Sequence, residues 1–222
     1  MNIETVIDTI KETKNLDDIN IERAKFSGAF DISPNEFLKY ASNDLESTTT
    51  HKHINALSNA KRAIDSQIEG LLKLYGFYNQ AKKEFWGFPK KLNSLSDIGI
   101  ITPRILKKLN RQRNIMEHEF IKPNNEQVED FVDIATLFIG SSDKYVFNYF
   151  SCCEAFLNNP DRGVYYELLP EKGISIYIFD YTGYDSEKDT GGKKFEKIFT
   201  PLDKNYKELL KSYQEIGEKQ PF

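Results

Sequence analysis

Three residues within the stretch "RNIMEH" have the types and spacing that proton transfer beside an anion requires: Arg113, Asn114 and His118. A histidine near a helix C-terminus, flanked by Glu117 and Glu119, is favoured in its charged form, so we expect His118 to titrate near neutral pH. Arginine stays charged at physiological pH and binds anions, while an amide can orient either partner. The stretch therefore supplies a proton carrier, a fixed positive charge and an orienting group.

Arg113 has an unusual position on the helix that should carry it. The sequence predicts a helix that starts at Thr102 as N-cap, with Pro103 at its first position, and ends before Pro123. Arg113 falls within the apolar stripe of that helix. The other members of the stripe are Leu106, Leu109, Met116 and Phe120. Two interpretations are open: the guanidinium reaches water and pairs with Glu117 at i+4, or the edge of the stripe faces a cleft.

The geometry of a helix separates the charged pair. Five residues apart, Arg113 and His118 point about 140° away from each other and lie about 7.5 Å apart along the axis. One chain alone would therefore hold an awkward site for a single phosphate. A second copy across a two-fold axis would let each subunit complete the other's site, so we predict a homodimer.

Charge is concentrated in the same segment. The whole chain has a net charge of -4, which gives no global attraction to nucleic acid. Residues 103–122 carry six basic and two acidic side chains, a local net charge of +4. This predicts a nucleic-acid-binding patch around the motif; a solvated basic helix face is the alternative. The basic residues that flank the motif are Arg104, Lys107, Lys108, Arg111 and Lys122.

Helical patterns dominate the chain up to about residue 150. Ser33 is a plausible N-cap with Pro34 following it, and Asn124 and Gln127 have capping-box spacing ahead of another apolar stripe. Four to five helices joined by short loops predict an antiparallel, up-and-down bundle. A β-hairpin across "PEKG" and a final helix capped by Thr200 follow. The expected fold class is thus mainly α, an antiparallel helical bundle with a small C-terminal α+β appendage, and the resemblance described next implies an up-and-down four-helix bundle.

The motif and its setting resemble the HEPN superfamily, whose motif is R-N-x-x-x-H. The resemblance covers roughly residues 33–146: a preceding helix with "NALSNAKRAID", the motif near the end of a third long helix, a proline after it, and a fourth amphipathic helix. The domains implied are an N-terminal helical extension at 1–32, a HEPN-like bundle at 33–150 and the appendage at 151–222. One departure is Phe120, where some members have a tyrosine that accepts AMP.

The resemblance implies a metal-independent endoribonuclease, as in toxin–antitoxin, abortive-infection and other antiviral defence proteins. Arg113, Asn114 and His118 match the catalytic residues, and the partners implied are RNA, a second copy and a cognate antitoxin or defence-system protein. Two alternatives stay open: a catalytically silent HEPN module that binds RNA or protein, and a plain helical dimerisation scaffold.

Other residues predict little further chemistry. His51 and His53 lack a third ligand at metal-binding spacing, so we predict no metal site and no cofactor. Cys152 and Cys153 are adjacent and should not form a disulfide, which suits a cytoplasmic protein without a membrane segment. The aromatic residues of the hairpin should pack against the bundle or a second subunit, with base stacking as the alternative. They are Tyr165, Tyr166, Tyr177, Phe179, Tyr181 and Tyr184.

Overall fold

A computed structural model describes residues 8–9, 19–27, 30–100, 124–157, 159–185 and 190–218. Helices fill most of the N-terminal part of these ranges, and strands with one closing helix fill the C-terminal part. In chain order the elements are β1 (Ile19–Ala24), α1 (Pro34–Glu46), α2 (Lys52–Leu74), α3 (Tyr78–Lys83), α4 (Phe88–Asp97), α5 (Asn125–Ser142), α6 (Lys144–Phe147), β2 (Tyr149–Leu157), β3 (Asn159–Leu169), β4 (Gly173–Asp185), β5 (Thr190–Phe199) and α7 (Tyr206–Glu218).

Capping boxes begin α1 and α5, where the sequence predicted an N-cap at Ser33 and a capping box at Asn124 and Gln127. The Ser33 hydroxyl accepts a hydrogen bond from the Glu36 amide at 3.2 Å, and the Glu36 carboxylate accepts one from the Ser33 amide at 2.8 Å. At α5, Asn124 Oδ1 accepts from the Gln127 amide at 2.8 Å, and Gln127 Oε1 accepts in return at 3.1 Å. Both predictions are confirmed because a cap depends only on residues close in sequence.

Helices α2 and α5 run parallel to each other. At their starts, His53 Nε2 lies 2.8 Å from Asn125 Oδ1. Near the end of α5, the buried Gln67 amide donates to Ser142 Oγ at 2.9 Å. The two helices therefore point in the same direction, and α3 and α4 lie between them in sequence.

Helix α1 runs antiparallel to both of them. Its last turn meets α2 through Asn59 Nδ2, which donates to Asp44 Oδ2 at 2.8 Å. Its first turn meets the end of α5 through Asn35 Nδ2, which donates to Asp143 Oδ2 at 3.0 Å. The three helices therefore pack against one another, and α2 has the most extensive contacts with the other two.

The strands form an antiparallel sheet in the order β1-β2-β3-β4-β5. Strand β1 pairs with β2, with Ile19 opposite Ala155, although the two strands are far apart in sequence and six helices of the described ranges lie between them. Strands β3 and β4 pair down to Leu169 opposite Gly173, across the predicted "PEKG" turn. The predicted hairpin is confirmed, as the central part of a larger sheet.

Alternate residues of the strands are buried on the face that we call the inner face. They include Ile19, Cys153, Ala155, Val164, Tyr166, Leu168, Ile174, Ile176, Ile178 and Phe199. Helix α7 joins this face to α2: Tyr213 OH donates to the Phe150 carbonyl, and Tyr206 OH donates to the Tyr75 carbonyl at 2.8 Å. Gln214 Nε2 donates to Tyr75 OH at 2.8 Å. Helices and sheet share one apolar core.

The predicted fold class is wrong. The protein combines an N-terminal helical region with a five-stranded antiparallel sheet, rather than a mainly α bundle with a small appendage. Residues 19–24, inside the predicted N-terminal helical extension, form β1. Residues 149–157 and 190–199 also form strands that the sequence did not indicate. The division of the chain at residues 32 and 150 stays a prediction.

Local sequence was misleading for two reasons. The pairing of β1 with β2 is non-local, and β5 is rich in glycine and lysine, which have low β propensity. The last helix also begins at Tyr206 rather than after Thr200, because the Thr200 amide donates to Asp203 Oδ2 at 2.9 Å and closes a turn there. None of the helices in the described ranges combines the length and hydropathy that crossing a membrane requires.

Candidate functional site

The predicted catalytic and RNA-binding residues lie outside the described residues. This applies to Arg113, Asn114 and His118, and equally to Arg104, Lys107, Lys108, Arg111 and Lys122. The convergence of the arginine with the histidine, and the exposure of the basic side chains, therefore stay predictions. What the structure does place is the chain on either side of this segment.

On its C-terminal side the segment joins α5 beside the first turn of α2. Asn124 caps α5, and the next residue, Asn125, contacts His53. The Asn125 side chain also contacts Glu129 on its own helix. His53 is thus held by an amide and belongs to no group of three or more metal-ligating side chains in the described ranges.

On its N-terminal side the segment follows α4, which packs on the C-terminal half of α2. Lys91 of α4 forms an ion pair with Glu69 of α2, and both side chains are largely shielded from solvent. Asp97, at the end of α4, accepts from Lys207 of α7 at 2.7 Å. The described residues on the two sides of the motif therefore lie toward opposite ends of α2.

The hairpin aromatics divide between the two faces of the sheet. Tyr166 is buried on the inner face, where its ring centroid lies 6.1 Å from that of Tyr213. Tyr177, Phe179 and Tyr181 lie on the opposite face, which we call the outer face. Tyr166 therefore packs on the helices as predicted, whereas the other three point away from them, because alternate strand residues point to opposite faces. Packing of these three on a second subunit stays a prediction.

The outer-face aromatics pack on one another. Phe179 lies 6.0 Å from Tyr177 and 5.7 Å from Tyr181 between ring centroids, and only 6% of its surface is exposed. A Cβ added at Gly163 would meet the Phe179 ring at 2.5 Å, so this glycine lets the ring lie against β3. The cluster covers a glycine in a strand and buries the Phe179 ring, whereas 40% of the Tyr181 surface is exposed, so base stacking at Tyr181 stays a prediction.

Beside this cluster, an open depression of about 430 Å³ lies where β1, β2 and β3 meet. Glu22, Glu154, Cys152 and Tyr165 are among its lining residues. Burial, offset in part by a hydrogen bond with Tyr165, raises the pKa of the Cys152 thiol, so at neutral pH it is protonated and a weak nucleophile. Its two carboxylates, Glu22 and Glu154, outnumber its one basic lining residue, Arg23, so this depression is poorly suited to a polyanion.

A turn that the sequence analysis did not single out has more unusual geometry. We call residues 82–90 the Phe85 turn. The Trp86 amide donates to the Ala81 carbonyl at 2.9 Å and the Phe85 amide to the Lys82 carbonyl at 3.3 Å, which is the Schellman pattern at the end of α3. Phe85 takes the left-handed position, with φ at 51°, and 91% of its surface is exposed. Glycine or asparagine is the usual residue there.

Hydrogen bonds to the Glu84 carboxylate fix the Phe85 turn. Glu84 Oε2 accepts from the indole nitrogen of the buried Trp86 at 2.7 Å and from Lys90 Nζ at 2.9 Å. Gln80 donates to the other Glu84 oxygen at 2.8 Å. The hydrogen bonds from Trp86, Lys90 and Gln80 lower the pKa of Glu84 to about 2, so the carboxylate stays charged.

Three lysines lie within residues 82–90, against one carboxylate. A hydrogen bond with Tyr78 raises the pKa of Lys82, which therefore stays protonated. Lys90 is paired with Glu84, while Lys83 is exposed and contacts no charged group among the described residues. The sequence signal, "KKEFWGFPKK", was visible, but it could not show that Phe85 is exposed and Trp86 buried.

Comparisons of the chain with protein-family profiles, with curated proteins and with solved structures found no match.

Proposed function

We propose that this protein is a metal-independent endoribonuclease that resembles HEPN toxins and acts in growth arrest or antiviral defence in the cytoplasm. The observation that carries the proposal is the motif of Arg113, Asn114 and His118 within a segment of local charge +4, in a chain whose net charge is -4.

The chemistry needs only groups that the motif contains. His118 takes the proton of a ribose 2'-hydroxyl, whose oxygen attacks the adjacent phosphorus, and the bond from phosphorus to the 5'-oxygen breaks. The departing 5'-oxygen receives a proton, from the His118 of either subunit. Arg113 stabilises the negative charge that builds on the phosphoryl oxygens, and Asn114 orients one of these partners. The products are a 2',3'-cyclic phosphate and a 5'-hydroxyl.

The proposed active form is a homodimer. Because Arg113 and His118 would diverge by about 140° on one helix, a two-fold pairing is needed to bring both around one phosphate. An antitoxin or defence-system partner would then act by covering or separating this cleft.

Cleavage of labelled RNA by the wild-type chain and by His118→Ala tests the proposal. We expect cleavage by the wild type in EDTA, a 2',3'-cyclic phosphate product, and loss of cleavage in His118→Ala. His51→Ala, which removes an exposed histidine at the start of α2, is the matched control and should cleave normally. A requirement for magnesium, or equal cleavage by His118→Ala, would refute the mechanism. RNA binding without cleavage by the wild type would favour the silent binding module.

A further inference from the structure

The identity of residue 85 lacks a structural explanation. A phenylalanine with φ at 51° is strained relative to glycine, and its ring is 91% exposed, so it adds nothing to the core. Trp86, the next residue, supplies the apolar contact of this turn because it is buried. A strained and exposed aromatic on a well-fixed turn is typical of a residue retained for binding.

We propose that the Phe85 turn binds single-stranded RNA. In this arrangement the Phe85 ring stacks on an unpaired base while Lys82, Lys83 and Lys90 contact the flanking phosphates. Lys82 and Lys83 precede Phe85 by three and two residues in sequence, and the Lys82 ammonium lies 4.5 Å from the centroid of the Tyr78 ring. The Lys90 ammonium lies 2.9 Å from Glu84 and 4.5 Å from the centroid of the Trp86 ring, on the residues that flank Phe85. The net charge of residues 82–90 is +2, opposite in sign to that of the whole chain.

Two features favour a nucleic acid over a membrane or a protein. Glu84 stays ionised beside the ring, which opposes insertion into lipid, and a single ring is a weak membrane anchor. Among the described residues of the turn, Phe85 alone is a large exposed apolar side chain, so there is no contiguous apolar patch of the kind that a protein interface uses. The flat Phe85 ring can stack on one base, and the lysines of the turn can contact the neighbouring phosphates.

This inference rests on the proposed function for the identity of its ligand, but its test does not. RNA binding is measured in the full-length His118→Ala background, where the RNA is not consumed, by fluorescence anisotropy of a labelled oligouridine. We expect Phe85→Asn to raise the Kd about tenfold, because base stacking on an aromatic ring is lost. Phe85→Trp should retain binding. Leu202→Ala, which truncates another exposed apolar side chain, is the matched control and should leave the Kd unchanged.

Two further measurements separate binding from folding and from non-specific attraction. Asparagine tolerates the left-handed conformation, so Phe85→Asn should melt at the same temperature as its parent or higher. Lys83→Ala should reduce the slope of log Kd against log salt by about 0.7, the value expected for one phosphate contact on a single strand. A duplex of the same length should show no dependence on residue 85, because its bases are not available for stacking.

The possible failures are distinguishable. An unchanged Kd in Phe85→Asn overturns the inference, even where the wild-type chain cleaves RNA through His118. If RNA binding depends on Phe85 but the wild-type protein does not cleave RNA, the inference stands and the proposed nuclease function is refuted. Binding to phosphatidylserine vesicles that depends on Phe85, without an effect on RNA, shows a membrane contact instead and also overturns it.

Discussion

Tyr165 and Tyr166 are neighbours on β3, yet the two faces of the sheet use them differently. Tyr166 on the inner face is fully buried and packs near Tyr213 of α7. Tyr165 on the outer face is half-exposed and hydrogen-bonds to Cys152 beside a carboxylate-lined depression. The inner face thus holds the helices and the sheet together, whereas the outer face is a self-packed surface whose residues can change with less effect on stability.

The largest expected difference between the faces is in the free energy of unfolding. Tyr166→Ala should lower it by about 4 kcal/mol, because a large buried aromatic leaves a cavity. Tyr165→Ala should lower it by about 1 kcal/mol. Urea denaturation followed by circular dichroism measures both, and equal losses would show that the outer face is covered as fully as the inner one.

Substitutions on the outer face should still lower stability where an aromatic ring lies against the backbone. Gly163→Ala should destabilise the fold by about 2 kcal/mol, because the new Cβ would lie 2.5 Å from the Phe179 ring and 2.6 Å from the Ala155 carbonyl oxygen. Gly140→Ala in α5 is the matched control. Nothing lies within 4 Å of its added Cβ, and the change should stabilise the helix by up to about 1 kcal/mol. If Gly163→Ala leaves the free energy of unfolding unchanged, the Phe179 ring moves aside without cost.

High pH should weaken the inner face through its buried thiol. Burial raises the pKa of Cys153 from 9.0 to about 12, so the thiol is neutral in the fold. A group with a raised pKa contributes stability that is complete below pH 9 and is lost as the pH rises toward 12. Between pH 8 and 10 this thiol should account for a loss of about 1 kcal/mol. In Cys153→Ala, thermal melts should show a shallower decline over that interval; an unchanged decline contradicts the assignment.

The smallest effect concerns the chemistry of the two thiols rather than stability. In the folded protein, iodoacetamide should modify Cys152 faster as the pH rises, because its raised pKa leaves little thiolate at neutrality. Cys153 is 1% exposed and should react only when the sheet opens. Peptide mapping by mass spectrometry distinguishes them. Equal labelling of both cysteines under native conditions would show that the inner face is open to solvent.

Sequence was a good guide where structure depends on nearby residues. The N-caps at Ser33 and Asn124 and the hairpin across "PEKG" are all local signals, and each was found. It failed for β1, whose partner strand β2 is distant in sequence, and for β5, whose glycines and lysines have low β propensity. Strand β2 was also missed, although its partner β3 follows it directly. The fold class was wrong because these three strands, added to the predicted hairpin, make a five-stranded sheet.

The candidate sites show a similar division. The motif around Arg113 and His118 could be recognised from spacing and charge alone, and it lies outside the described residues. The Phe85 turn could not be recognised, because two adjacent aromatics in "EFWGF" give no hint of which is buried. Only the backbone, with φ at 51° for Phe85, shows that the chain turns there and directs that ring outward.

The pairing of β1 with β2 has a consequence for biosynthesis. β1 leaves the ribosome early, but its partner strand is made only after α1 to α6. The helices depend on local contacts and can form while the chain is still growing, whereas β1 has to wait with its backbone groups unpaired. Until β2 is released, the edge of β1 is open to pairing with another nascent chain. The N-terminal segment is therefore the part of this protein whose folding depends most on how fast translation proceeds.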